Sequence, residues 1–189
     1  GMRPPGLETT LVLCARSNGI TPPDTHILIR GNAHSEGRLV KPGIPHVLGA
    51  DEFSPQPTVH GESSGLRLAF AEWLTEPENP TSTRVAANRI WQHHFGRGLV
   101  RSSDDFGFLG TRPTHPHLLD WLATELPRLD WSRRALNRLI LTSSTYRQSS
   151  RVDPAAATLD PLNDLLWKFD LRRLTAEEIR DAVLAVSGN

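Results

Sequence analysis

The chain has 189 residues, enough for one substantial domain or for one domain with a small appendage. Its formal net charge is zero and its apolar content is ordinary, which argues against a nucleic-acid binder and fits a globular protein. No apolar run of about 18 residues or more occurs, so no membrane span is expected, and no charged-then-apolar leader opens the chain. Gly1 ahead of Met2 reads as the scar of a cleaved tag (residues 1–2). The end at Ser187-Gly188-Asn189, just past a helical pattern, reads as a cut within a longer protein. Cys14 is alone, so no internal disulfide can form, and without Cys-x-x-Cys-His no haem attaches; no cofactor is expected in this fragment.

Residues 7–64 form one organisational segment. Thr9-Thr10-Leu11-Val12-Leu13-Cys14 and Thr25-His26-Ile27-Leu28-Ile29-Arg30 favour β structure, and Gly19 with Pro22-Pro23-Asp24 separates them as a turn would. An antiparallel pair is expected. Residues 31–64, rich in Gly, Pro, Ser and His, are expected to be irregular and docked on a surface.

From Gly65 to residue 189 the period is helical, so the expected fold is mainly α, with the β piece and a long irregular segment at the N-terminus. Leu66, Ala69, Phe70 and Trp73 mark a first helix, ended by Pro77 and Pro80. Ser82 is placed to cap a second, with Ala87, Ile90, Trp91 and His94 as its stripe and Gly96 as its stop. A loop over 97–113 follows. Thr114 is placed to cap a helix bearing Leu118, Trp121, Leu122 and Glu125. Ser132 caps the next, with Ala135, Leu136, Leu139 and Ile140 inward and Trp131 stapling to Leu136. The Ser/Thr-rich stretch 142–150 reads as a helix end. Thr175 and Glu178 form a capping box, Leu174 staples to Ile179, and Ile179, Ala182, Val183 and Val186 make the inner face of the last helix.

Charge is unevenly spread. Residues 51–80 hold six acids against Arg67, and residues 128–151 hold six arginines against Asp130. The reading favoured is two solvated faces, or faces that meet each other. Arginine outnumbers lysine 19 to 2, which suits bidentate pairing with carboxylates but follows equally from a GC-rich genome.

The chemistry-bearing residues concentrate in 84–148. Arg84, Asn88, Arg89, Trp91, Gln92, Tyr146 and Arg147, with Gln148, form a polar and aromatic set at helical spacing. One reading is a pocket for an anionic or sugar ligand with Trp91 as platform. The other is an internal network tying helices to the 97–113 loop. Asp104 and Asp105 are the candidate acids, with His93 and His115 as candidate catalytic partners and His94 and His117 as further ones. Adjacent histidines on a helix point about 100° apart. His94 on the apolar stripe therefore reads as a hydrogen-bonded core residue, and His115 beside Pro116 as structural. No spacing matches a zinc signature, so no metal site is expected. For the two aspartates the favoured expectation is a buried ion pair of one with Arg84 or Arg89, and a turn cap by the other. Asp105-Phe106-Gly107 without a kinase lysine or catalytic loop carries no kinase reading, and no nucleophile elbow is present.

The run Arg84-Val85-x-x-Asn88-Arg89-Ile90-Trp91-Gln92-His93-His94-Phe95-Gly96-Arg97-Gly98-Leu99-Val100, then Asp105-Phe106-Gly107, Thr114-His115-Pro116, Ser144-Thr145-Tyr146-Arg147-Gln148 and Arg172-Arg173-Leu174-x-Ala176-Glu177-x-Ile179-Arg180-Asp181-Ala182, resembles the planctomycete secreted-domain family, domain of unknown function number fifteen fifty-three. The resemblance is sharpest over 65–188. It implies a C-terminal domain of a large exported (periplasmic or extracellular) protein, downstream of cytochrome-c-like domains, with neighbouring domains of the same protein as partners. It implies no reaction. Its pattern carries Glu where this chain has His117, which weakens a catalytic role at that position.

Three functions follow as expectations. The first is a non-catalytic structural or interaction module. The second is a hydrolase or carbohydrate-active domain using Asp104 or Asp105 with a nearby histidine, metal-assisted or not, and Arg84 and Arg89 as anion clamps. The third is a glycan-binding module without chemistry.

Overall fold

A computed structural model describes residues 19–48, 63–77, 79 and 81–188. The chain divides into two compact units, residues 1–74 and 75–189. It is mainly α, with seven helices and one two-stranded antiparallel sheet among the described residues.

In the first unit, β1 (Thr25–Leu28) pairs antiparallel with β2 (Glu36–Val40). The expected β run at 25–30 is thus a strand over Thr25–Leu28, and Ile29–Gly31 follows it as a 3-10 turn. The 36–40 stretch, read from sequence as irregular, supplies the second strand, and the 9–14 run lies outside the described residues. Register runs Thr25 to Val40 and His26 to Leu39, then shifts by a bulge to reach Leu28 and Glu36. Glycine is required at Gly37, where a Cβ would stand 2.8 Å from the Ile27 carbonyl oxygen. Helix α1 (Leu66–Thr75) stops ahead of Pro77 and stacks Phe70 on Trp73, ring centroids 5.7 Å apart. None of its residues is buried, so the expected inner face is only half covered.

The second unit is built around α2 (Ser82–Phe95), α3 (Pro116–Arg128) and α4 (Arg133–Thr142). Ala87, Trp91 and Phe95 of α2 meet Leu119, Leu122 and Leu126 of α3 and Leu136 and Ile140 of α4 in one core. Leu99 and Val100 of the following loop close it, with Trp131 and Tyr146 packed against it. Of the apolar residues read on this helix, Leu122 is buried and Trp121 is exposed; the inner face of α3 runs through Leu119, Leu122, Ala123 and Leu126.

The expected helix ends are met unevenly. Gly96 stops α2 in the left-handed conformation (φ 78°), its N–H reaching the Gln92 carbonyl at 2.8 Å. Ser132 caps α4 through Ala135 N. Ser82 does not cap α2, because it is already the first helical residue. Buried Asn79 replaces it, its Oδ1 accepting from Ser82 N (2.9 Å), Thr81 N and Thr81 Oγ1 (both 3.1 Å). Thr114 does not cap α3 either. The cap position is His115 followed by Pro116, and the Thr114 hydroxyl turns instead to the Leu99 carbonyl at 3.4 Å.

Beyond α4, Ser143 caps the short α5 (Ser144–Arg147) and Asp153 caps α6 (Pro154–Leu159). The last helix, α7 (Ala176–Ser187), has the full Thr175–Glu178 capping box. Its apolar face is not an inner face. Ile179 is 51% exposed, Val183 61% and Val186 90%. Together with Leu174 and Ala182 they line an open apolar groove of about 470 Å³.

Candidate functional site

Two polar assemblies grow from α2. The first is a clamp. Asn88 is fully buried, where an unpartnered amide would be costly. Its Nδ2 donates to the Val100 carbonyl (3.1 Å) and its Oδ1 accepts from Val100 N (2.8 Å), so a side chain satisfies both backbone groups of a buried loop residue. Gly98 makes room for this: a Cβ there would lie 2.6 Å from Asn88 Nδ2 and 2.5 Å from the Val100 oxygen.

The clamp extends into residues 160–170. Arg97 donates to the Asn163 carbonyl at 2.7 Å and pairs with Asp170 at 2.9 Å. Arg101 pairs with Asp164. The segment they grip is organised by its own short polar side chains. Asp160 accepts from Asp164 N (2.9 Å) and Leu165 N (2.8 Å), and buried Asn163 bonds both backbone groups of Lys168. Gln148 Nε2 donates to the Leu166 carbonyl at 3.0 Å.

Carboxyl acidity follows this geometry. Burial pushes the Asp170 carboxyl up, but hydrogen bonds from Lys168 and Asn163 and the charges of Arg97 and Lys168 together outweigh it and hold it below its ordinary range. Asp160 is held low chiefly by the Leu165 N–H. Glu178 is held low chiefly by Arg172, whose guanidinium reaches it at 2.6 and 3.3 Å.

The second assembly is a polar hollow of about 410 Å³ lined by Arg89, Gln92, His93, Gly96, Ser103, Asp104 and Arg172. Arg89, Gln92 and His93 stand at i, i+3 and i+4 on α2, so one helical turn presents all three together. Asp104 arrives on the 97–113 loop, where Ser103 donates to Gln92 Oε1 at 2.6 Å. Arg89 donates to Asp104 at 3.1 Å. The expected partner of Arg89 is therefore present, but the pair is not buried: the Asp104 side chain is 94% exposed. A pair in that setting is worth at most about 1 kcal/mol, far below a buried one.

The remaining candidates go elsewhere. Asp105 is the turn cap, accepting from Gly107 N at 2.8 Å. Arg84 pairs with Asp120 at 2.7 Å, away from both loop aspartates. Trp91 is 4% exposed and stacks on Phe95 at 4.0 Å, so it offers no platform to a ligand. Tyr146 packs edge-on against Phe95 and Phe169, and Arg147 is exposed. His94, half-buried and not in the core, bonds Asn137 at 3.0 Å, and His115 bonds Thr114 at 3.0 Å. His117 is exposed. Among the described residues, no group of three or more His, Cys, Asp or Glu side chains stands together with the geometry to hold a metal ion.

Sequence reasoning overlooked Arg97, Arg101, Asp160, Asn163, Asp164 and Asp170, and Arg172 as a lining residue. Asp160, Asn163 and Asp164 at turn spacing carried the signal of a side-chain-built turn. Nothing local marked which arginines would meet it.

The family model described as PSD1, protein of unknown function (DUF1553), matches residues 66–189. The chain belongs to that family. A second likeness is shorter: 69 residues are 32% identical to the O-acyltransferase pboC of Aspergillus ustus, covering 36% of this chain. The matched stretch spans about 15% of the length of that curated relative. No solved structure matches the chain.

Proposed function

We propose that this chain is a non-catalytic structural or interaction module of a larger exported multidomain protein. One observation carries the reading: the buried amide side chains of the helical unit are spent on neighbouring backbone, Asn88 on Val100, Asn163 on Lys168 and Asn79 on Thr81 and Ser82. Among the described residues no buried side-chain nitrogen or oxygen lacks a hydrogen-bond partner. Asn88, Arg97 and Arg101 thereby fasten the 97–113 loop to α2 and to the 160–170 segment. The open face of α7 is the surface such a module would present to a neighbouring domain of the same protein. The exported location and a planctomycete source rest on the motif resemblance.

The test is binding of this chain to the flanking segments of its full-length protein, measured by calorimetry. Association that weakens when Val183 is made polar supports the reading. Absence of association with every flanking segment counts against it.

A second reading has one observation in its favour. Asp104 and His93 line the same hollow, with two guanidinium groups beside them. A hydrolase or carbohydrate-active domain would use Asp104 as acid or base and His93 as its partner. Turnover of an ester or glycoside, abolished in both Asp104→Asn and His93→Ala, would establish it and displace the first. The glycan-binding alternative loses its platform with Trp91 buried. The short likeness to an O-acyltransferase adds no transfer chemistry, because it covers too little of that protein.

A further inference from the structure

The hollow beside α2 differs from the clamp in what its side chains leave unengaged. Arg89 gives one N–H to Asp104 and keeps the rest of its fork. Gln92 accepts from Ser103 through Oε1, which leaves both Nε2 hydrogens free. The His93 ring makes no hydrogen bond to a described residue. Arg172 binds Glu178 through Nη1 and Nη2, and its Nε–H remains. On the acceptor side the lining offers the Asp104 carboxylate, held by one exposed bond. The surplus is therefore of donors, two of them cationic. The C-terminal end of α2 adds partial negative charge nearby. Arg172 offsets it, its Cδ lying 3.9 Å from where a Cβ on Gly96 would stand.

We propose that this hollow binds an oxyanion, with Arg89, Gln92, His93 and Arg172 as donors and Asp104 as an internal competitor that the ligand displaces from Arg89. Guanidinium and carboxamide donors converging on one polar space suit a carboxylate, sulfate or phosphate group. At about 410 Å³ the space admits a small ligand bearing such a group as well as a bare ion. Displacing Asp104 costs little, because its exposed pair with Arg89 is weak. The site stands apart from the structural reading above: the clamp can hold the fold whether or not the hollow is filled.

The test is a titration of the purified chain with inorganic phosphate, glucuronate and glucose at matched ionic strength. The readout is the arginine Nε–Hε resonances of Arg89 and Arg172. The expectation is a saturable shift with phosphate or glucuronate and none with glucose. Tighter binding of glucuronate would identify an acidic saccharide as the source; equal or tighter phosphate binding would identify a free oxyanion. Gln92→Glu keeps the bond from Ser103 while adding a negative charge to the lining, so it should abolish the shift with the fold intact. Arg172→Gln should weaken binding at least about tenfold. Asp104→Asn should strengthen it, opposite to the loss expected of a catalytic acid. Shifts that never saturate, equal binding of glucose, or unchanged affinity in Gln92→Glu would overturn the proposal.

Discussion

Helices α2 and α7 each carry an apolar stripe, and they end differently. Ala87, Trp91 and Phe95 of α2 are buried in the core, while Ile179, Val183 and Val186 of α7 stand in the open. Local signals do not explain the difference. The exposed helix has the better ends, a complete capping box at Thr175 and a left-handed Gly188 (φ 80°). The buried one borrows its N-terminal cap from Asn79, outside the helix. Caps and periodicity decide where a helix forms and which side is apolar. Whether that side is covered depends on partners distant in sequence, which α3 and α4 supply to α2.

The largest effect should come from emptying the covered side. Trp91→Ala removes a ring stacked on Phe95 at the centre of the core and should cost about 3–5 kcal/mol, read as a lower denaturation midpoint in urea. A loss below about 1 kcal/mol would mean that the α2 core is not packed as described.

Asn88→Ala tests the polar half of the same side. It leaves the Val100 N–H and carbonyl without their partner in a buried setting, at about 1–3 kcal/mol for each group left unsatisfied. Because the loop is what Asn88 holds, amide exchange at Leu99 and Val100 should accelerate more than in α3. Uniform acceleration across the unit would place Asn88 among ordinary core residues instead.

How far the sequence revealed all this depends on how local each cause is. The helices beyond residue 65, the Gly96 stop, the Ser132 cap and the Thr175–Glu178 box were readable because each rests on residues within one turn of each other. Arg89, Gln92 and His93 could be read as one polar group for the same reason. The burial of Asn88 was not readable, since its partner Val100 lies 12 residues on and Gly98 alone hints at the close approach. The β2 strand escaped because Glu36–Val40 has weak β character, and pairing with β1 rather than propensity makes it a strand. The α7 face misled because an apolar stripe was equated with a covered one.

A smaller effect lies in acid, where the clamp is charged and α7's apolar face is not. With its carboxyl held low, Asp170 stays ionised in the folded chain at pH values where the unfolded chain has taken up the proton. Its contribution is complete above the unfolded value and is lost as pH falls through the folded one, below about pH 4. Asp160 and Glu178 act in the same direction. Thermal melts from neutral pH downward should show stability falling across this range. Asp170→Asn should start lower at neutral pH and fall less steeply. An acid slope unchanged in Asp170→Asn would remove the Arg97–Asp170 pair from the clamp.

The smallest expected effect is on the open side of the comparison. Val183→Gln replaces an exposed side chain in the middle of α7, loses little buried area, and gains slightly in helix propensity. Stability of the isolated chain should stay within about 0.5 kcal/mol. Solubility should rise, since the substitution interrupts the apolar groove between Ile179 and Val186. A loss of about 1.5 kcal/mol or more would be the signature of a buried valine. It would show that the α7 stripe is covered in solution as that of α2 is, and the contrast between the two helices would then be one of partner and not of exposure.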